Sequence, residues 1–414
     1  MKLSEELAWR GFVNQTTYPD ISALDQGQIS FYWGVDPSAD SMHVGHLAMA
    51  MMVKHFMNAG HQAVLLVGGA TGLIGDPDGK SDERSLKTFD EITHNKEALA
   101  AQYQRIFAGL PFEVVDNYDW FKDMGYLAFL RDVGKHVPMR QMLGREFIQT
   151  RLGEEGSGIS YAEFSYALIQ GYDFLHLHRE KGVTLQVAGS DQWGNCVAGV
   201  ELVRRITGDE AHIWTAPLII NKTTGLKFGK TEAGAVWLDP AKTTPTMFYQ
   251  FWINIDDASV EDYLKIFTML SQDEIKAITQ QHSENPAQRV AQKALAEQVT
   301  SLVHGSDAVG LAQNVTEFIT GRRPIGEASG ELDEIRNNIG NAVVAEGAPI
   351  IEAIVSSGLA PSNSEARRLL LGNAVSINGE KVLREHFEAG DFQNGRLLLR
   401  RGKAFKDSAL IERA

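Results

Sequence analysis

The stretch from Ile29 to Leu47, ISFYWGVDPSADSMHVGHL, gathers residue types that handle phosphate. His43 and His46 stand three apart with Gly45 between them. Residues three apart share a helix face, so two imidazoles can present donors side by side. Gly45 leaves room for a ligand to approach the main chain. A helix starting here would add a favourable dipole and unpaired N–H groups for an anion. Two other readings stay open. The histidine pair can be purely structural, or it can be half of a metal site. Against the metal, no third ligand stands nearby and no His-Glu-X-X-His pattern occurs.

Elements on either side must hold these groups. Ile29 to Trp33 reads as a buried strand that breaks at Gly34 and again at Asp36-Pro37. The spacing predicts a helix from near Ser41, a good N-cap, to Gly60. A second strand, His61 to Val67, runs into GGATGLIGDP. Four glycines in eight residues predict a loop that lies against a ligand or makes a tight turn at a sheet edge. That loop ends at Asp76, and Lys80 and Arg84 follow within reach of phosphates. A third strand, Val183 to Ala188, delivers Gly189, Asp191 and Gln192 to a helix that runs through Arg205. Three strand–turn–helix junctions of this kind converge on one crevice at the carboxyl edge of a parallel sheet.

Two further segments join the crevice. A helix over Tyr161 to His178 places Tyr166, Gln170 and Asp173 on one face among Phe164, Leu168, Ile169 and Phe174. Buried polar groups left unpaired cost roughly 1–3 kcal/mol each, so this stripe needs either a ligand or partners within the fold. After a strand near Ile213 to Ile220, residues 221–231 carry Lys227, Lys230 and Thr231. A basic loop beside a phosphate site suits charge that develops during reaction, and it can equally be a solvated hairpin tip. A helix over 91–107 and a strand over Phe112 to Asp116 precede a helical, partly exposed region from 118 to 160. Its apolar positions within 129–137 form either a partner surface or a core face.

The 414 residues carry a net charge of −14, which argues against a large nonspecific nucleic-acid footprint. Residues 348–414 differ: ten Lys and Arg against eight Asp and Glu give +2, leaving −16 on the rest. Arg367, Arg368, Lys381, Arg400, Arg401 and Lys403 could form one basic face there, for RNA or simply for solvent. The single cysteine, Cys196, allows no disulfide within the chain and suits a reducing cytosol. No apolar core of signal-peptide length opens the chain, and no run of about 18 apolar residues spans a membrane. Residues 246–322 read as helices, and 321–347 as a polar linker.

Taken together, the chain resembles the bacterial tyrosyl-tRNA synthetases, a class I aminoacyl-tRNA synthetase family, over essentially its whole length. His43-Val44-Gly45-His46 matches the first class I signature and Lys227-Phe228-Gly229-Lys230-Thr231 the second. GGATGLIGDP, FSYALIQGYDF, GSDQWGN and GAVWLDP are the family's own strings. The tail is similar to an RNA-binding domain shared with a small-subunit ribosomal protein.

The resemblance implies an α/β fold with a Rossmann-like parallel-sheet catalytic domain over 1–232, including a connecting insertion at about 110–160. A helical domain over 233–325, a linker over 326–347 and a small α+β RNA-binding domain over 348–414 follow. It implies that Tyr32, Asp76 and Asp173 hold L-tyrosine, with Tyr32 and Asp173 at its phenol hydroxyl, Tyr166 and Gln170 at its amino group and Gln192 at its carboxyl region. Gly34, Asp36, His43, Gly45, His46, Gly189, Asp191 and Lys230 are implied at ATP. His43, His46, Lys80, Arg84, Lys227, Lys230 and Thr231 are implied to stabilise the transition state. ATP is then a substrate that brings Mg²⁺ on its phosphates, with no metal site of the protein's own. Tyrosine tRNA, a homodimer with 129–137 as its candidate interface, and a cytoplasmic setting complete the expectation. Two departures stand beside the nucleotide: Trp33 where the family often has cysteine, and Met49 where threonine or proline is common. The competing readings are a nucleotidyltransferase acting on a small acceptor and a non-catalytic RNA-binding paralogue.

Overall fold

The computed structural model describes residues 1–77, 86–144, 146–153, 156–220, 222, 225, 228–231, 234–402 and 404–414, without the side chains of Gln141, Glu146, Phe147, Lys230 and Thr231. The expectations for Lys80, Arg84, Lys227 and Lys403 lie outside the described residues, as do those for the side chains of Lys230 and Thr231. By their contacts the described residues form two packed units, Met1–Asp239 with Ile255–Leu295, and Pro240–Asn254 with Ala296–Ala414.

The first unit holds a six-stranded sheet. Its strands are β1 (Gln15–Thr16), β2 (Ser30–Val35), β3 (Gln62–Val67), β4 (Phe112–Asp116), β5 (Leu185–Gly189) and β6 (His212–Ala216). They lie in the order β1-β6-β5-β2-β3-β4, all parallel except β1. Apolar side chains on both faces explain this, since a parallel sheet is covered twice. From β2 the chain runs outward to β3 and β4, then returns on the other flank through β5 and β6. The strand order therefore switches between β2 and β5, where Tyr32 stands level with Gln186. A switch of this kind opens a crevice at the carboxyl ends of the strands.

Two local expectations change. The helix after β2 is Val44–Asn58, and its N-cap is His43 rather than Ser41. Ser41 is buried instead and ties the segment inward, accepting from Gln102 Nε2 and from the Asp239 amide. The glycine-rich stretch after β3 is not a loop but a helix, Gly69–Ile74. Its first amides are capped from far along the chain: Gly69 N–H by Asp116 Oδ1 and Ala70 N–H by Asn117 Oδ1. A Cβ on Gly69 would stand 2.2 Å from Asp116 Oδ1, so the glycine makes room for that cap.

The second unit contains a five-stranded sheet of β9 (Gly340–Val344), β10 (Ser376–Ile377), β11 (Glu380–Lys381), β12 (Arg396–Arg400) and β13 (Ser408–Arg413), ordered β11-β10-β12-β13-β9. Alternation along its strands serves two cores. Leu397, Leu399, Ala409 and Ile411 face one cluster with Ile350 and Ile354. Leu398 and Leu410 face another with Val315, Phe318 and Ile319 of helix Ser306–Ile319. The stretch 326–347, expected as a linker, differs: it carries helix Leu332–Asn338 and the edge strand β9, with Ile335 and Ile339 inside the second cluster.

Candidate active site

A cleft of about 480 Å³ opens at the carboxyl edge of the first sheet, and its walls come from the strand ends read in the sequence. Tyr32, Gly34 and Asp36 enter from β2, and His43, Gly45 and His46 from the helix that follows. Asp76 comes from beyond helix Gly69–Ile74, Gly189, Asp191 and Gln192 from the end of β5, and Tyr166, Gln170 and Asp173 from helix Tyr161–Lys181. Every expected site residue whose side chain or glycine backbone is described borders this one space.

One end of the cleft is a network of side chains. Asp173 is buried, and its two oxygens accept from Asn117 Nδ2 at 3.1 Å and Trp120 Nε1 at 3.0 Å. Burial pushes its carboxyl well above the usual carboxylate range, the two donors oppose this, and the charges of Asp36 and Asp116 add to it. Asn117 also donates to Thr71 Oγ1, which donates to Asp36 Oδ1 at 2.6 Å. Tyr166 donates to the other oxygen of Asp36 at 2.7 Å. Gln192 Nε2 reaches Asp76 Oδ2 at 2.6 Å. The stripe on helix Tyr161–Lys181 thus finds part of its pairing inside the fold.

Tyr32 differs. Its ring packs edge-on against Phe174 at 5.2 Å, and its buried hydroxyl has no hydrogen-bond partner. Burial, with the electrostatic influence of Cys196 and Asp173 adding, raises its pKa well above the ordinary phenol, so the group stays an O–H. Gln186 Oε1, on the neighbouring strand, is likewise buried and unpartnered. A donor and two acceptor atoms therefore border the cleft where β2 and β5 diverge.

The other end is made by the main chain. His43 Nδ1 accepts from Gly45 N–H at 3.0 Å, and His46 Nδ1 accepts from His43 N–H at 3.2 Å. Each acceptor nitrogen carries no proton, so the neutral rings bear theirs on Nε2. Burial and the neighbouring His43 bring the His46 pKa down to about 3, so it is neutral at physiological pH. The rings lie 4.0 Å apart.

Gly45 borders the cleft as expected and has a second reason to be glycine. A Cβ there would stand 2.8 Å from His43 Cε1, so the glycine accommodates the capping imidazole. The expected unpaired amides are also absent, since Val44 N–H donates to Val236 O, and His46 and Leu47 N–H to His43 O. The dipole and the two Nε2–H groups are what this end offers an anion.

The lysine-bearing segment packs against the same turn. Strand β7 (Lys230–Thr231) pairs with β8 (Gly234–Ala235), and Ala235 borders the cleft. Segment 236–238 runs antiparallel to 42–44, with His43 bridged to Trp237. Gly229 takes a φ of +82°, and a Cβ on it would stand 2.4 Å from Val44 Cγ2. Trp33 borders the cleft at 3% exposure, its ring 5.6 Å from Tyr103. Met49 borders it too, and also a smaller apolar hollow shared with Leu218 and Ile219.

Sequence reasoning missed Thr71, Asn117, Trp120 and Gln186. Asn117 and Trp120 follow the end of β4, so a fourth strand–turn–helix junction was the available signal.

The chain matches a family model described as tRNA synthetases class I (W and Y) over residues 24–319. Residues 331–406 match one described as a tyrosine--tRNA ligase SYY-like C-terminal domain, which takes in helix Leu332–Asn338 and β9. The tyrosine--tRNA ligase of Geobacillus stearothermophilus is 42% identical over 97% of this chain and 98% of its own length. That of Cronobacter sakazakii is 44% identical over 97% and 96%. Among solved structures, a C-terminally truncated mitochondrial tyrosyl-tRNA synthetase of Aspergillus nidulans superposes with a TM-score of 0.69 at 31% identity, covering 77% of this chain and 94% of that one.

Proposed function

The chain belongs to the class I tRNA synthetases as a tyrosine–tRNA ligase, and from that premise we propose how its cleft performs the two steps. In the first, a carboxylate oxygen of L-tyrosine attacks the α-phosphorus of ATP, and the bond to the bridging oxygen of pyrophosphate breaks. In the second, a terminal ribose hydroxyl of tyrosine tRNA attacks the acyl carbon of the adenylate and AMP leaves. No protein nucleophile is required. Catalysis rests on positioning and on stabilising charge at phosphorus and pyrophosphate.

The single observation that carries the assignment of sides is the pair Tyr32 and Asp173. A phenol hydroxyl set between them accepts from the unpartnered Tyr32 O–H and donates to the carboxylate held by Asn117 and Trp120. A site that hydrogen-bonds a hydroxyl rejects the analogue without one, a rule for which enzymes of this very kind are the standard example. Asp76, Tyr166, Gln170 and Gln192 then surround the amino and carboxyl groups. ATP lies at the other end, along Gly34, Asp36, Gly45, Gly189 and Asp191, with its base toward the apolar wall of Met49, Leu218 and Ile219. His43 and His46 meet the phosphates as neutral Nε2–H donors, with Lys80, Arg84, Lys227, Lys230 and Thr231 around the leaving pyrophosphate. Mg²⁺ rides on the phosphates as part of the substrate. Among the described residues no group of three or more metal-binding side chains is gathered.

We further propose the division into a catalytic part over 1–232, a helical part over 233–325 and an RNA-binding tail, whose start the strand β9 moves ahead of 348. The tail meets tRNA through Arg367 and Arg368, exposed on helix Asn363–Leu371. The chain works as a homodimer. Within 129–137, Val133 is buried in the core, while Phe129 and Val137 pack against it and stay partly exposed. The apolar residues left exposed flank that stretch, Leu127 at 80%, with Tyr126, Met139 and Leu152. Among the described residues no helix is long and apolar enough to cross a membrane; we propose a cytoplasmic setting, which suits a tRNA substrate. ATP–pyrophosphate exchange with each of the twenty amino acids tests the reading. Exchange is expected with tyrosine alone, and equal exchange with phenylalanine or tryptophan overturns it.

A further inference from the structure

We propose that His176 is a positioning residue for tyrosine selection: its imidazole braces the Trp120 indole, whose Nε1–H in turn orients the Asp173 carboxylate. This rests on the reading of Asp173 as the acceptor of the substrate hydroxyl. Trp120 belongs to helix Tyr118–Phe121, a single turn of four residues. So short a helix has no stability of its own, so the direction of the indole must come from tertiary contacts. Two such contacts stand out. Nε1 donates to Asp173 Oδ1 at 3.0 Å, and the ring lies flat on His176, with centroids 4.3 Å apart and planes 20° apart.

Both contacts come from one rigid element, because Asp173 and His176 stand three apart on helix Tyr161–Lys181. One holds the indole by its edge and the other by its face. Asn117, the second donor to Asp173, is secured differently. It is fully buried, and its own Oδ1 is tied to the Ala70 amide. Trp120 is half-buried, so its orientation is the weaker of the two supports. Tyr172 closes the flank, with its ring 6.2 Å from His176 and 5.4 Å from Phe121.

Removing the brace lets the N–H swing away from the carboxylate for part of the time. The loss falls on recognition of the hydroxyl, because phenylalanine gives Asp173 nothing to receive. His176→Ala is expected to raise KM for tyrosine by about three- to tenfold, the size of one aromatic stack. The preference for tyrosine over phenylalanine in pyrophosphate exchange should fall by the same factor, with KM for ATP unchanged. His176→Phe keeps a flat ring and should restore both. In a Trp120→Phe background, which already lacks the N–H, His176→Ala should change selectivity no further.

Unchanged selectivity in His176→Ala overturns the proposal, as do equal shifts in KM for tyrosine and ATP or fully additive effects in the double variant. Asp173→Asn separates the two levels. If it lowers the tyrosine preference while His176→Ala does not, only the brace fails. If it leaves the preference intact, the reading of the phenol site fails and takes the brace with it.

Discussion

At one end of the cleft Asp173 is held by side chains 56 and 53 residues away in the chain, Asn117 and Trp120. At the other, His43 and His46 are held by amides two and three residues away. The first end is a tertiary network whose members come from the turn after β4, helix Tyr118–Phe121, helix Gly69–Ile74 and helix Tyr161–Lys181. The second is a local turn clamped by pairing of 42–44 with 236–238. Selection of a side chain is thus entrusted to groups that exist only in the folded state. Handling of phosphates, which every substrate pair shares, is entrusted to a short motif. Damage to the network should therefore change which amino acid is used, and damage to the clamp should change how fast any amino acid is activated.

The largest expected effect is at the network. Asp173→Ala removes a charged hydrogen-bond acceptor, and KM for tyrosine should rise about 100-fold while KM for ATP stays within about twofold. Equal losses would erase the distinction between the ends. Gly229→Ala places a methyl group against Val44 in a left-handed backbone conformation. Adenylate formation should slow about tenfold in single-turnover exchange with tyrosine affinity unchanged; a matching loss of affinity would mean that the clamp also shapes the amino-acid pocket.

A change outside both ends should spare each. Arg367→Glu with Arg368→Glu is expected to weaken tRNA charging several-fold, more steeply as salt rises, and to leave pyrophosphate exchange intact. The double substitution is the better test than removal of 348–414, because that deletion would strip Leu398 and Leu410 from the cluster around Phe318.

The smallest effect is on stability, and the two ends oppose each other in sign. The His46 pKa falls from 6.5 to about 3 on folding, so between those values the unfolded chain binds the extra proton. Stability due to His46 is whole above pH 6.5 and drains away as pH drops toward 3. Asp173 is shifted upward, so the folded state keeps its proton longer and stability rises as pH falls toward the ordinary carboxylate range. Melting temperatures between pH 7 and pH 5 should fall less in His46→Asn than in the parent; an identical slope removes His46 from the account.

The same contrast explains what could be read from the chain. Strands β2, β3 and β5 were legible because each is an apolar run with glycine at or next to its end, although β2 runs on through Gly34 to Val35, and the histidine turn because its residues are adjacent. Helix Gly69–Ile74 was not, because its caps arrive from Asp116 and Asn117 and nothing local announces them. Trp120 follows the β4 junction, but its role was hidden because its partners Asp173 and His176 are on another helix. Strand β9 was missed because it is a half-exposed edge, alternating between solvent and core without a strong apolar signal. The side of the sheet that Phe129 and Val133 face was undecidable from spacing, because a core face and a partner face share one period.

Strand β13 lies inside its sheet, bonded to β12 on one side and to β9 on the other. A ribosome must therefore pass residue 413 before that sheet can close, long after β9 has emerged. Until then β9 and β12 have nothing between them, and the hydrophobic cluster around Phe318 stands half built. The tail would be a late-maturing part of the nascent chain, and a change that disturbs β13 would leave β9 and β12 unjoined.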